Sequence, residues 1–205
     1  MTPGHAAPLR IALISYDYLS PQRSPGERYV RELAHALLNA GHRVHVLSTH
    51  RKQRRRTVED GIPVIRVSSL PEALLRQRGF VGPLTQVPVS VAALVAGGFD
   101  VVHAFSTPDA LTARIWRRLV GRPAVFTCVE ELRRDRLADR RLRLSLLQRA
   151  VEDTDAVIAA TEDSRKSLWR WLAVAAPVMG AHDVGGHERL YRDLVAVRSQ
   201  AHSAG

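Results

Sequence analysis

The segment "SPGE", which begins at residue 24, has the residue types of a site for a phosphate or a sugar hydroxyl. Ser24 and Pro25 are typical of the N-cap and the first residue of a helix, and Gly26 lets a ligand approach the backbone. A helix N-terminus carries unpaired N–H groups and a partial positive charge. We therefore predict that Ser24 and Gly26 contact a phosphate or a sugar oxygen. An ordinary capped helix after a long loop is the alternative.

Four further candidates directly follow apolar runs of strand length. Ser106 and Thr107 follow "FDVVHAF", Glu130 follows "AVFTCV", and Glu162 follows "DAVIAAT". Ser106 and Thr107 are predicted to bind substrate or phosphate, and Glu162 is a further candidate for ligand contact. Glu130 offers a carboxylate that can act as a general base on an acceptor hydroxyl. Stabilisation of a helix N-terminus by a first-turn acid explains Glu130 and Glu162 equally well.

The elements that must position these residues alternate along the chain up to about residue 180. The predicted strands are 9–16, 44–48, 62–68, 99–105, 124–129 and 155–161. Helices are predicted between them, including 107–120, where Leu111, Ile115 and Leu119 are four residues apart, and 162–173. This alternation predicts an α/β fold, a Rossmann-like doubly wound parallel sheet with helices on both faces. Ligands bind such sheets beyond the carboxyl ends of the strands, where all six candidates above fall.

Three helix starts can be predicted from the sequence, and the composition of the first loop excludes two classes of nucleotide-binding site. Ser24 and Thr107 each precede a proline, and Thr161 precedes two acidic residues, so all three are predicted N-caps. Residues 15–28 contain a single glycine, which excludes the G-x-G-x-x-G pattern of nicotinamide-cofactor domains. The chain also lacks the Gly-Lys-Ser/Thr of a P-loop.

Charge is the strongest compositional signal, with 30 basic and 20 acidic residues and a net charge of +10. A basic run follows the second predicted strand and is a candidate contact for anions or an anionic membrane: Arg51, Lys52, Arg54, Arg55 and Arg56. A solvated loop is the alternative. The basic amphipathic segment 131–153 can also lie on a membrane. A nucleic-acid partner is not expected, because no recognised nucleic-acid-binding motif is present.

Cysteine usage and apolar runs bear on location. Cys128 is the only cysteine, so no intramolecular disulfide can form. The start "MTPGHAAPLR" has no apolar core and is not a signal peptide. Residues 79–99 are uncharged but contain two prolines and four glycines, which favours a buried segment over a membrane span. We expect a cytoplasmic protein. A peripheral contact of this protein with the inner face of the membrane is the further expectation.

Four stretches together resemble the N-terminal, acceptor-side domain of GT-B glycosyltransferases of family 4. They are "RIALISYDYLSPQRSPGERYVRELAHALLNAGHRVHVLSTH", "GIPVIRVSSLP", "FDVVHAFSTPDALTARIWRRLVGRPAVFTCVEE" and "TDAVIAATEDSRKSLWRWL". The resemblance spans residues 9–178 and implies one half of a GT-B fold, with transfer of a sugar from a nucleotide sugar to an acceptor and retention of stereochemistry. It implies a nucleotide sugar as co-substrate and no cofactor. By position, Ser24, Pro25 and Gly26 correspond to the family loop that borders the phosphates and the acceptor.

The chain departs from the family at three positions. Pro25, which lacks an N–H donor, stands where a glycine pair is usual. Phe105 stands where the second histidine of "H-A-H" is common, and Val129 where another histidine often ends the fifth strand. Two polar contacts of the family site are therefore missing. His103 lies within a strand pattern and is predicted to be a packed or an edge residue and not to bind a ligand.

The family's donor domain has no counterpart here. Its two glutamates stand eight positions apart, and no two of the nine glutamates of this chain do so. The stretch after residue 180 resembles the family's final helix, which crosses back onto the first domain. We predict a disordered N-terminus (1–8), a Rossmann-like domain (9–180), a crossing helix packed on it (181–198) and a flexible tail (199–205).

These features lead to two main hypotheses. The chain is a glycosyltransferase half that is weak or inactive alone and needs a donor-domain partner protein, with a sugar or lipid-linked acceptor. Alternatively, it is a catalytically inactive glycosyltransferase-like binding or regulatory module. A deleted gene product without selected function is a third possibility. No metal site is predicted, because glycines interrupt the group of His182, Asp183, His187 and Glu188.

Overall fold

A computed structural model describes most of the chain. The described residues are 7–16, 18, 24–50, 55–68, 84–129, 131–132, 141–172, 174, 176, 178–180 and 184–203. Glu130 and the basic residues Arg51, Lys52 and Arg54 lie outside these ranges.

The described part of the chain contains eight strands and six helices. The strands are β1 (Arg10–Ile14), β2 (Arg43–His50), β3 (Arg55–Glu59), β4 (Ile62–Ser68), β5 (Val101–Ala104), β6 (Ala124–Cys128), β7 (Ala156–Ala159) and β8 (Val178–Gly180). The helices are α1 (Pro25–Asn39), α2 (Val87–Gly97), α3 (Thr107–Val120), α4 (Arg141–Glu152), α5 (Glu162–Trp171) and α6 (Val184–Ser203).

All strands belong to one sheet, in the order β3-β4-β2-β1-β5-β6-β7-β8. Every neighbouring pair is parallel except β3 with β4. The chain winds outwards from β1 in both directions, which confirms the predicted doubly wound α/β fold. All six predicted strands are present, as β1, β2, β4, β5, β6 and β7.

Strands β3 and β8 were not predicted. The reading of the basic run as a loop is wrong at its end, because residues 55 and 56 begin β3, which pairs antiparallel with β4. The hairpin turns at Asp60 (φ 51°) and Gly61 (φ 77°), and two left-handed residues match the right-handed twist of the strands.

The two faces of the sheet are covered by different helices. On one face, α1 contributes Val30, Leu33 and Leu37, and α6 contributes the fully buried Tyr191. The other face is covered by apolar residues of α2, α3, α4 and α5. Because successive strand residues alternate between faces, each central strand supplies both clusters, and this explains the continuous apolar runs in the sequence.

Helix α1 begins and ends as its sequence predicts. The Ser24 hydroxyl oxygen accepts a hydrogen bond from the Glu27 N–H at 3.1 Å, and Pro25 fills the first turn. Gly41 has φ 86°, and its N–H bonds to the Leu38 carbonyl at 2.9 Å. This left-handed residue closes the helix at little cost because glycine has no Cβ.

Helices α2 and α3 refine two predictions. Residues 87–97 of the uncharged segment form α2, which buries Val91 and Leu94, so this part of the segment belongs to the core. The N-cap of α3 is Ser106, so the prediction of Thr107 as its N-cap is wrong by one residue. Ala110, Ala113 and Trp116 lie on its buried face. The predicted stripe that ends at Leu119 does not form this face, since Leu119 is 67% exposed.

The basic segment 131–153 is described as a helix from Arg141 to Glu152. It packs against α3 and buries Leu147, Ala150 and Val151 in the core. The apolar side of α4 is therefore covered by protein, and only its other side remains for a partner.

The C-terminal part of α6 is attached to the sheet through the carboxylate of Asp155, which accepts hydrogen bonds from several donors. The Asp155 side chain, 12% exposed, accepts hydrogen bonds from Arg117 at 2.7 and 3.1 Å, from Arg198 at 2.6 Å and from the Ala124 N–H at 2.9 Å. Burial alone raises the pKa of Asp155, but the bonds from Arg117, Ala124 and Arg198 outweigh burial, and the net pKa is lowered. Asp155 is therefore held ionised.

Replacing Asp155 by Asn removes the negative charge that faces two guanidinium groups. We expect Asp155→Asn to lower the free energy of unfolding by about 2 kcal/mol, measured by urea denaturation. The matched control is Glu162→Gln, which breaks the exposed pair with Arg165 and removes a first-turn acid, and it should lower the urea midpoint much less than Asp155→Asn. Equal midpoints for Asp155→Asn and wild type would contradict the assigned role.

Candidate functional site

The carboxyl ends of the parallel strands form one edge of the sheet, here called the ligand edge. Ser24 and Gly26 lie at this edge in the first turn of α1, after β1. The Ser24 hydroxyl oxygen is engaged as the helix cap. A Cβ added at Gly26 would meet only Ser24 Oγ, at 3.7 Å. The helix therefore does not require glycine here for packing, which leaves ligand approach as a reason for its presence.

Asp109 connects two loops of the ligand edge, and the sequence analysis missed it. Its side chain is fully buried, and its Oδ2 accepts hydrogen bonds from the Ser106 hydroxyl at 2.6 Å and the Tyr16 N–H at 3.3 Å. The loop after β1 is thereby attached to the start of α3, after β5. The signal that would have found it is an acid three residues after a serine N-cap.

Ser106 and Thr107 are placed by the same turn. Ser106 is half-buried and donates to Asp109, whereas Thr107 is 4% exposed. Thr107 thus presents little surface to a ligand, and Ser106 is the more accessible of the two.

A second group of side chains holds Tyr18, which lies in the loop after β1. The Tyr18 ring is 2% exposed and lies 5.7 Å below the Arg31 guanidinium, and Arg31 also donates to Glu27 Oε1 at 3.1 Å. The Tyr18 carbonyl accepts from Ser48 and Arg66, each at 3.4 Å. Burial raises the pKa of the Tyr18 hydroxyl, partly offset by Arg31. The negative charge of Glu27 is paired within the protein, so the start of α1 does not carry an open carboxylate.

Beneath the ligand edge lies a buried polar group that we call the histidine–tyrosine cluster: Tyr29, His103, Thr127, His187 and Tyr191. His103 is fully buried, with Nδ1 2.5 Å from the Tyr191 hydroxyl and Nε2 2.6 Å from Thr127 Oγ1. Tyr29 Oη lies 3.0 Å from His187 Nε2. The prediction that His103 packs within the structure agrees with this placement.

Burial sets the protonation of the cluster. It lowers the pKa of His103 well below the usual value, with a further lowering from His187. Burial also raises the pKa of Tyr29 to about 12, despite a hydrogen bond with Thr127, and raises the pKa of Tyr191 well above its usual value. At neutral pH the cluster therefore holds neutral His103 and neutral tyrosines, linked by hydrogen bonds.

Phe105 covers this cluster at the ligand edge. Its ring stacks on His103 with centroids 4.3 Å apart and meets Tyr29 edge-on at 6.0 Å. The side chain is half-buried. The position at which the family often has a histidine therefore presents an aromatic surface with no hydrogen-bonding group.

Glu162 lies apart from the other candidates. It starts α5 after β7 and pairs with Arg165 at 2.8 Å, and this bond lowers the pKa of Glu162. Three strand spacings separate β7 from β1, which is ~14 Å along the edge. Ser24 and Gly26 thus follow β1, Ser106 follows the adjacent strand β5, and Glu162 lies at another part of the edge.

The basic residues of the candidate membrane contact are only partly described. Arg56 is exposed in β3, and residue 55 is placed as backbone in the same strand. Within the described ranges, no helix is long and apolar enough to cross a bilayer. In the same ranges no three potential metal ligands come together.

Comparison with known proteins agrees with this architecture. A family model described as "Glycosyl transferase 4-like domain" matches residues 26–179. A search of curated proteins found no match.

Several solved structures share the fold. The sucrose-phosphate synthase (tll1590) of Thermosynechococcus elongatus is 19% identical with a TM-score of 0.68, over 84% of this chain and 47% of that one. A form whose name carries the ranges 27–220 and 406–426 is 20% identical with a TM-score of 0.65, over 90% of this chain and 98% of that one. Anabaena Alr3699/HepE in complex with UDP-glucose is 15% identical with a TM-score of 0.59, over 83% and 43%.

This chain thus spans about half the length of the full-length sucrose-phosphate synthase chain and nearly all of its two-range form. The family model covers most of the chain, and the resemblance stated from the sequence is confirmed. The chain belongs to the glycosyl transferase 4-like domain family and has the fold of one GT-B half.

Proposed function

We propose that the chain is the acceptor-side half of a glycosyltransferase, which acts once a donor-binding half closes over its ligand edge. The observation that carries this proposal is the family match over residues 26–179 in a chain that spans about half of the full-length sucrose-phosphate synthase structure it resembles. One solved relative is a complex with UDP-glucose, which supports a nucleotide sugar as the donor class.

In the proposed reaction, an acceptor hydroxyl oxygen bonds to the anomeric carbon of the sugar. The bond from that carbon to the phosphate oxygen breaks, and the nucleoside diphosphate leaves. Ser24, Gly26, Ser106 and Thr107 would border the acceptor or the phosphates, and Glu162 would meet the sugar. Glu130 would take the acceptor proton.

A partner for the donor half follows from the physics of the cleft. Transfer requires that water be expelled and that the acceptor oxygen be held against the anomeric carbon. One open sheet edge provides a single wall. In this chain, β8 and α6 are joined by residues 181–183 only. The two ranges in the name of the shorter sucrose-phosphate synthase form leave out the stretch between 220 and 406 of that protein. No donor domain is inserted at this link, and we propose that a partner protein supplies the donor half.

An inactive binding or regulatory module is the second candidate. Phe105 favours it, because an aromatic ring stands where a polar contact is usual in the family and is fixed by stacking on His103. Such a module would still bind sugars or a full enzyme at the ligand edge.

The isolated chain should not turn over UDP-glucose, because the open edge leaves the reacting atoms in water. A coupled assay for UDP release on the pure protein checks this. A rate near ~1 per second, within the ordinary range of enzymes, would refute the need for a second half.

Insertion of the donor domain of the sucrose-phosphate synthase between Gly180 and Val184 separates the two candidates. We expect the folded chimera to release UDP from UDP-glucose at least about tenfold faster than the isolated chain. A chimera that binds UDP-glucose but stays at the rate of the isolated chain would favour the inactive module.

Gly26→Ala tests ligand contact at the start of α1. The added methyl has room in the fold, so the thermal midpoint should stay within about 2 °C of wild type. If the ligand approaches this backbone, UDP-glucose affinity should fall about tenfold, measured by NMR titration. The control is Gly180→Ala, which also has free space and lies ~19 Å from β1 along the edge. Equal affinities for both variants would contradict the contact.

We further propose that the basic run contacts an anionic membrane carrying a lipid-linked acceptor. Each arginine near such a surface contributes ~1 kcal/mol, so Arg54→Ala with Arg55→Ala should weaken binding to phosphatidylglycerol vesicles by about 30-fold. Lys166→Ala with Arg170→Ala removes the same charge from exposed positions of α5 and should leave most of the binding intact. Equal losses in the two variants would indicate only nonspecific charge attraction.

A further inference from the structure

Helix α6 is held to the sheet by histidines at one end and by an ion pair at the other. His103 meets Tyr191 of α6, and Tyr29 meets His187 of α6. His42 Nδ1 accepts the Leu9 N–H at 3.1 Å, and its Nε2 faces Glu188 of α6 at 3.4 Å. Near the other end of α6, Arg198 pairs with Asp155.

The neighbours of His103 suit a neutral imidazole. Tyr191 and His187 face it from α6, Thr127 from β6, and Phe105 stacks on it from the end of β5. Tyr29 of α1 borders the same group through Phe105 and His187. Among the partners that the structure describes for His103, none is a carboxylate. A proton added here would create a buried cation without a counter-charge, and His187 stands 6.1 Å away, centroid to centroid.

We propose that α6 is an acid-sensitive latch, released from the sheet when His103 takes up a proton. Release would uncover the apolar sheet face formed by Val101, Val125 and Ile158 and remove the support beneath Phe105 at the ligand edge. This regulation goes beyond the proposed transferase function and does not depend on it.

The direction of the pH effect follows from linkage. Burial keeps the pKa of His103 well below the usual value while α6 is docked, and an exposed histidine has a pKa near 6.5. Below that pH the released state binds one more proton, at His103, so the equilibrium shifts toward release by up to about tenfold per pH unit. Above it both states are neutral and docking is unaffected. The Asp155 end stays paired throughout, because the pKa of this carboxylate is lowered.

Hydrogen exchange of the full chain tests the latch. Protection factors of α6 amides, corrected for the pH dependence of intrinsic exchange, should fall about 20-fold between pH 7 and pH 5. Amides of β1 should lose less protection than those of α6, because their exchange requires wider unfolding. A flat profile for α6 in the wild-type chain would overturn the proposal.

A variant assigns the effect to His103. His103→Gln removes the titrating group, so the pH-dependent fall should shrink to no more than about threefold. His35→Gln, on α1 and outside the histidine–tyrosine cluster, should behave as wild type. Unchanged acid sensitivity in His103→Gln would refute the assignment.

Tyr191→Phe decides the question if His103→Gln does not fold. It keeps the histidine and the ring but removes the hydroxyl, so α6 protection should drop by a similar factor at every pH while the steep fall below pH 6.5 remains. Loss of that fall in Tyr191→Phe would count against His103 as the titrating group.

Discussion

The whole fold depends on covering both faces of a parallel sheet whose strands are apolar on each side. Helix α1 covers one part of one face, and the neighbouring strands β5, β6 and β7 need a second element there. That element is α6, which comes from the other end of the chain and buries Tyr191 completely. Burial of one large side chain contributes roughly 2–3 kcal/mol, so α6 is a substantial part of the core.

The same packing fixes the ligand edge. Tyr191 of α6 supports His103, and His103 supports the ring of Phe105, so the end of β5 is set by contacts made on the sheet face. On the other side of that strand end, Asp109 joins Ser106 to the loop after β1. The loops after β1 and β5 are therefore held in place by buried groups in the ligand-free protein. Such preorganisation reduces the conformational entropy that is lost when a ligand binds.

The sequence predicts those features of the fold that depend on local pattern. Apolar runs located six strands, and serine or threonine before a helix located the starts of α1 and α5. Strand β3 was missed because arginines conceal its alternation, although Asp60-Gly61 is a hairpin signal. The buried side of α3 was not predicted, because close packing selected Ala110 and Ala113 over leucines. Asp109 was missed because its importance arises from Tyr16, 93 residues away.

The spacing of the candidate residues bears on the proposal that a second half completes the site. Ser24 and Ser106 follow the adjacent strands β1 and β5, whereas Glu162 follows β7, which is ~14 Å along the edge from β1. The charges of Glu27 and Glu162 are paired with Arg31 and Arg165, so neither is an uncompensated charge in a dry pocket. Transition-state stabilisation needs fixed charges or dipoles in a water-excluded site. In the proposed function, a second domain that approaches along the same strand ends supplies the wall that excludes water.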